Sequence, residues 1–242
     1  MSPDGLARTA GGLYLVNILL GIFAIGIVPA SIFVAGDAAA TAHNLQSNEV
    51  LYRLGVVAHV IILLTNVPLA VIFYELFKVV SRRLALLVVY FTLLGTAVEA
   101  AGLANQFVPL ALLADGQSSG ALTQAQVQAL AFIPLDTQSI TYAIHSVFFG
   151  FYGLTIGYLV FRSGFLPRAI GVLLAIGASC YLIYSFALFI SPAFASRLVP
   201  YIQVPSLIGE VSFCLWLLLA GVNVKRWNDH AGAAPSRSEW AG

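Results

Sequence analysis

The stretch ITYAIHSVFFGFYGLTIGYLVFRSGFLPR, residues 140–168, decides the fold. It runs apolar from Ile140 to Phe161 and stops at Arg162, with Pro167 and Arg168 just beyond. An apolar run of about twenty residues crosses the hydrocarbon core of a bilayer as a helix, and the arginines mark its cytoplasmic edge. One residue inside this run does not belong in lipid: His145. The rest of the chain can be searched for whatever lies at the depth of that histidine.

Composition sets the class. Sixty per cent of the 242 residues are hydrophobic and 9% are charged; the mean hydropathy is +0.94. A soluble domain of this length could not bury so much apolar surface, so its solvent is lipid. The formal charge of +1 says nothing about nucleic acid, and with no basic run to bind it no nucleic-acid partner is expected. Cys180 and Cys214 both fall in apolar segments, where they read as small packing residues and not as a disulfide framework.

Working outward, five further runs of membrane length appear, at residues 11–36, 51–79, 84–113, 169–190 and 204–224. The first follows a short polar lead. Ala38, Ala39 and Ala40 faintly resemble a signal-peptidase site, but the run before them is too long for a signal peptide. Pro68 should kink the second span, because it removes a backbone hydrogen bond. Residues 37–49 read as a polar loop. The long loop 115–138 contains, at 123–135, a short amphipathic helix with Thr123 as its N-cap. The expectation is an all-α protein with a six-helix transmembrane bundle. Residues 1–227 form one domain, and residues 228–242 form a polar cytoplasmic tail without fixed structure.

The basic residues orient it. Arg8, the Lys78/Arg82/Arg83 turn, Arg162 with Arg168, and Lys225 with Arg226 alternate with loops holding Asp37, Glu49, Asp115 and Asp136. Both termini are therefore expected on the cytoplasmic side of an inner membrane, with the helices in contact with the lipid bilayer. That orientation brings His59, Glu99, His145 and Glu210, from four different helices, to one depth in the outer half of the membrane. Helical spacing adds Gln106 near Glu99, Tyr142, Phe149 and Tyr152 near His145, and Gln203 near Glu210. Tyr181 and Tyr184 reach the same zone. An ionised carboxylate at the centre of a membrane helix costs about 2.5–3.5 kcal/mol on insertion scales. No Lys or Arg lies in the outer half to pair with Glu99 or Glu210. These carboxyls are protonated, hydrogen-bonded to the histidines, open to a cavity, or bound to a cation; otherwise they form a network that only fixes helix packing. Asn17 and Asn66 read as interhelical hydrogen bonds, and Glu75 as an ion-pair partner of Lys78 at the membrane edge.

Three segments carry a family resemblance: YELFKVVSRRLALLVVYFTLLGTAVEAA at 74–101, GYLVFRSGFLPRAIGVLLAIGASCYLIYSF at 157–186 and VPSLIGEVSFCLWLLLAGV at 204–222. They resemble blocks of the bacterial membrane family catalogued as domain of unknown function 4386. That resemblance implies a six-helix integral membrane protein and brings no activity with it. Glu99 and Glu210 fall inside the matching blocks.

Three function classes stay open. The first is a membrane-embedded enzyme on a lipid, isoprenoid or other apolar small molecule. It is a hydrolase if His59, His145, Glu99 and Glu210 hold a divalent metal such as zinc, or an isomerase or cyclase if Glu99 or Glu210 acts as a catalytic acid. Its substrate would contact Tyr142, Phe149, Tyr152, Tyr181, Tyr184, Gln106 and Gln203. The second is a haem b protein with His59 and His145 as axial ligands. The third is a transporter or sensor that uses the carboxylates for protons or a small ligand. Oligomeric state is left open by the sequence.

Overall fold

The computed structural model describes residues 1–115 and 123–233. Among them all regular structure is helical, and six helices are long and apolar enough to cross a membrane. In chain order the elements are α1 (Pro3–Gly21), a π-helical segment (Ile22–Ile27), α2 (Val28–Ile32), α3 (Ala38–Ser47), α4 (Glu49–Phe77), α5 (Arg82–Asn105) and α6 (Val108–Asp115). After them come α7 (Gln124–Ser163), α8 (Arg168–Ile190), α9 (Pro192–Leu198), α10 (Val204–Leu219) and α11 (Val224–Ala233).

Two departures from regular α-structure have a proline behind them. Pro29 has no N–H to return to the carbonyl four residues earlier. Just before it the chain widens into the π segment, where the Val28 N–H bonds the Phe23 carbonyl. Pro109 likewise cannot continue the ladder of α5, and that span breaks into α5 and α6 at Gln106 and Phe107 where the sequence suggested one helix to residue 113.

Other expectations are corrected by side-chain caps and continuity. Residues 37–49 are not a loop: Asp37 Oδ1 accepts from the Ala40 N–H at 2.9 Å and starts α3. The amphipathic segment 123–135 is helical but not separate. Thr123 and Gln126 form a reciprocal capping box, with the Thr123 N–H donating to Gln126 Oε1 at 2.8 Å and the Gln126 N–H to Thr123 Oγ1 at 3.4 Å. From that cap α7 runs without interruption through Pro134 to Ser163. The polar lead is helical from Pro3, and the start of the tail is helical to Ala233. Residues 234–242, the rest of the tail expected to lack structure, lie outside the described residues.

The chain divides into two compact units, whose boundaries fall between residues 15 and 16, 65 and 66, 94 and 95, and 145 and 146. The first unit (Met1–Leu15, Asn66–Leu94, Ser146–Gly242) is built on aromatic packing. Tyr14, Phe73 and Phe213 pack with ring centroids 5.6–6.4 Å apart, and Phe73 and Phe213 are 1% and 0% exposed. Its helices approach at backbone distance: a Cβ on Gly177 of α8 would lie 2.7 Å from the Ser206 Cα of α10. Gly221 turns the chain after α10 with φ +66°, and Asp4 Oδ1 accepts there from the Val222 N–H at 3.3 Å. Arg8 donates to the carbonyls of Leu218 and Leu219 at 3.1 and 3.2 Å, and so caps α10. The Trp227 indole N–H of α11 donates to the Leu76 carbonyl at 3.0 Å. Glu75 pairs with Lys78, as its spacing suggested.

The second unit (Val16–Thr65, Gly95–His145) has a smaller apolar cluster of Val28, Ile32, Leu45, Tyr52 and Val56. Thr65 on α4 hydrogen-bonds the Asn17 side chain on α1, the interhelical role expected of that asparagine. Next to this cluster the helices leave space.

Candidate functional site

The space is a cavity of about 570 Å³ inside the second unit. One wall comes from the π segment and α2, and the others from α4, α5 with the turn after it, and α7. Most of the lining is apolar, and its polar groups are Tyr52, His59, Glu99, Gln106, Gln138, Ser139 and Tyr142. The π segment is a thin wall, since Ile25 lines the cavity and is also 41% exposed.

Glu99 is the centre of the polar end. It is 2% exposed, among the most deeply buried side chains of the chain. Its Oε1 lies 3.0 Å from His59 Nε2 and accepts from Gln138 Nε2 at 3.3 Å. Its Oε2 lies 3.9 Å from His145 Nδ1, too far for a hydrogen bond. Among the described residues that oxygen has no hydrogen-bond partner, and neither has Gln138 Oε1. His145 Nδ1 sits 3.0 Å from the Gly95 carbonyl, one turn before Glu99 on α5. A carbonyl only accepts, so Nδ1 carries the proton and the ring is held in that tautomer. Tyr142 stacks on the same ring at 6.0 Å between centroids.

No Lys or Arg lies within ion-pair distance of Glu99 among the described residues. Desolvating a bare carboxylate costs several kcal/mol, so the neighbouring imidazoles and the Gln138 amide must carry its stabilisation.

His59, Glu99 and His145 thus come together in the second unit, with Tyr142 and Gln106 also at or beside the cavity. Gln106 marks the break after α5, and its backbone carbonyl accepts from the Tyr52 hydroxyl at 2.9 Å. Glu210, Phe149, Tyr152, Tyr181, Tyr184 and Gln203 belong to the first unit. There Glu210 Oε1 accepts from the Tyr181 hydroxyl at 2.8 Å. Phe149, Tyr152, Tyr181 and Glu210 line a cavity of only about 10 Å³, together with Tyr14 and Ser206. That is room for about one water. Tyr184 and Gln203 line neither cavity.

Sequence reasoning missed Gln138, because it read the segment as loop. The signal was there in the spacing: 138, 142 and 145 fall on one face once α7 is extended toward its N-terminus. It also missed the π wall, whose residues are uniformly apolar.

Zinc in a protein takes three or four N, S or O ligands at about 2.0–2.3 Å. No group of three or more His, Cys, Asp or Glu is placed to hold a metal ion among the described residues. The arrangement is instead a carboxyl within hydrogen-bond reach of the His59 imidazole and the Gln138 amide, with His145 beside it, at the end of an apolar pocket. That arrangement can move a proton.

The profile of the family described as Domain of unknown function (DUF4386) matches residues 9–221. The chain belongs to that family. The match takes in His59, Glu99, His145 and Glu210, and with them both cavities. No curated protein and no solved structure matches the chain. DUF4386 membership accords with a multi-pass membrane protein and specifies no chemistry, so a functional reading has to rest on the site.

Proposed function

We propose that this protein is a membrane-embedded enzyme that binds a lipid- or isoprenoid-like molecule in the second unit's cavity and transfers a proton to or from it. The observation that carries this reading is the buried Glu99 carboxyl, 3.0 Å from His59 at the polar end of an apolar cavity of about 570 Å³. Pockets of roughly 300–1,000 Å³ take small organic ligands. Glu99 is the acid or base that meets the substrate, His59 exchanges the proton with it, and Gln138 and the Gly95-bound His145 position the carboxyl. Isomerisation or cyclisation of an unsaturated chain is the reaction class that needs only this equipment. Both termini lie on the cytoplasmic side of an inner membrane in this reading, by the distribution of Lys and Arg. Cysteines replacing exposed Ala39 and Lys225 would then label from opposite sides.

The test needs no known substrate. Purified protein incubated with a total membrane lipid extract in D₂O should place deuterium on carbon in one lipid species, read by mass spectrometry. Glu99→Gln should lower that incorporation by about 10²–10⁴-fold, the usual size of an acid–base contribution. No incorporation, or equal incorporation by the variant, would sink the enzyme reading.

A further inference from the structure

Glu99 and Gln138, two residues that line the cavity, each keep a buried acceptor oxygen without a partner among the described residues, and that favours a donor as the ligand's polar end. Glu99 Oε2 and Gln138 Oε1 are buried and without hydrogen-bond partners among the described residues. The Gln138 orientation follows from chemistry: its Nε2 donates to Glu99 Oε1 at 3.3 Å, which leaves its carbonyl oxygen as the second acceptor. Leaving such a group desolvated is unfavourable, so a bound molecule that supplies a donor is favoured over one that does not.

We infer that the molecule bound in this cavity is a neutral lipid alcohol, whose hydroxyl donates to Glu99 Oε2 or Gln138 Oε1 while its apolar chain lies along the π wall. This rests on the reading of the cavity as a lipid-like substrate site and names the head group that site accepts. A phosphate, carboxylate or sulfate head would place negative charge against Glu99, and no Lys or Arg lines the cavity to offset it. A ketone or ether head offers no donor to either of these two oxygens. An ammonium head could donate as well, but moving its charge out of water into an apolar cavity carries a desolvation penalty that an alcohol avoids.

Equilibrium binding to the full chain in lipid nanodiscs would test this, with farnesol, farnesyl methyl ether, farnesylamine and farnesoic acid as probes. Farnesol should bind, and the methyl ether should bind on the order of tenfold or more weaker, the equivalent of one lost hydrogen bond to a charged group. The acid should bind at least as weakly as the ether. Equal binding of alcohol and ether overturns the head-group inference and leaves the lipid cavity standing. Tighter binding of the amine than of the alcohol replaces the alcohol with a cationic lipid and likewise overturns the inference. Failure of all four probes to bind removes the substrate reading itself.

Discussion

Glu99 and Glu210 are the same residue type, each on a helix long and apolar enough to cross a membrane, and their surroundings differ in one respect above all: room. Glu99, in the second unit, borders a cavity of about 570 Å³ and keeps an oxygen without a partner among the described residues. Glu210, in the first unit, is bonded to Tyr181 and borders about 10 Å³. A carboxyl in lipid is costly in both places. Only where a second molecule can reach it does that cost bring chemical capacity. Where it is packed, the carboxyl joins two helices. The first unit around Glu210 is built at backbone contact, and the second around Glu99 is built to leave a gap.

The largest effect should come from disturbing the close-packed unit. Gly177→Val would press two extra methyl groups and a Cβ onto the Ser206 backbone 2.7 Å away. It should cost about 3 kcal/mol or more and yield little folded protein by size-exclusion chromatography. Gly12→Ala, with nothing within 4 Å of the added Cβ, should elute as the parent does. If both variants behave alike, the first unit is not tightly packed and the contrast fails.

Next comes a pair of equal substitutions. Glu99→Gln and Glu210→Gln should both melt within about 1 kcal/mol of the parent, since an amide is cheaper in lipid than a carboxylate. Only Glu99→Gln should lose deuterium transfer to lipid. Equal loss in both would make Glu210 a second chemical group. Equal retention would reduce both carboxyls to packing.

A smaller effect should follow from filling the gap. Ala24→Phe projects from the cavity wall into open volume, so the melting temperature should hold or rise slightly while farnesol binding drops about tenfold. Undiminished binding would place the ligand elsewhere. The smallest effect should be Tyr181→Phe, which removes the hydroxyl that donates to Glu210. It should destabilise by about 1 kcal/mol in thermal melts and leave lipid binding unchanged.

Part of the fold and of the site is legible in the sequence, for physical reasons that differ by residue. His59, Glu99 and His145 stand out because ionisable groups are rare in apolar helices, and the structure brings all three together. Span count is legible because twenty apolar residues have few other uses. Gln138 was hidden because Pro134 and the polar run around it look like the end of a helix, whereas α7 passes through. The capping box at Thr123 and Gln126 announced that helix start, yet nothing local says the helix continues for forty residues. The room around each glutamate is not legible at all. Cavity volume depends on side chains from separate helices, and no periodicity within one segment encodes it.

The Arg8 cap has a consequence for the order in which the protein can be made. Arg8 and Asp4 bind the carbonyls of Leu218 and Leu219 and the N–H of Val222, so α1 completes its polar contacts only once α10 and the turn after it have been made. Until α10 is synthesised, a guanidinium and a carboxylate at the start of α1 have only each other, at 2.9 Å. The contacts with Leu218, Leu219 and Val222 therefore form only after every residue of the Glu99 cavity has been synthesised. A chain cut short before Leu218 would hold the whole lining of the Glu99 cavity and lack the partners of Arg8 and Asp4.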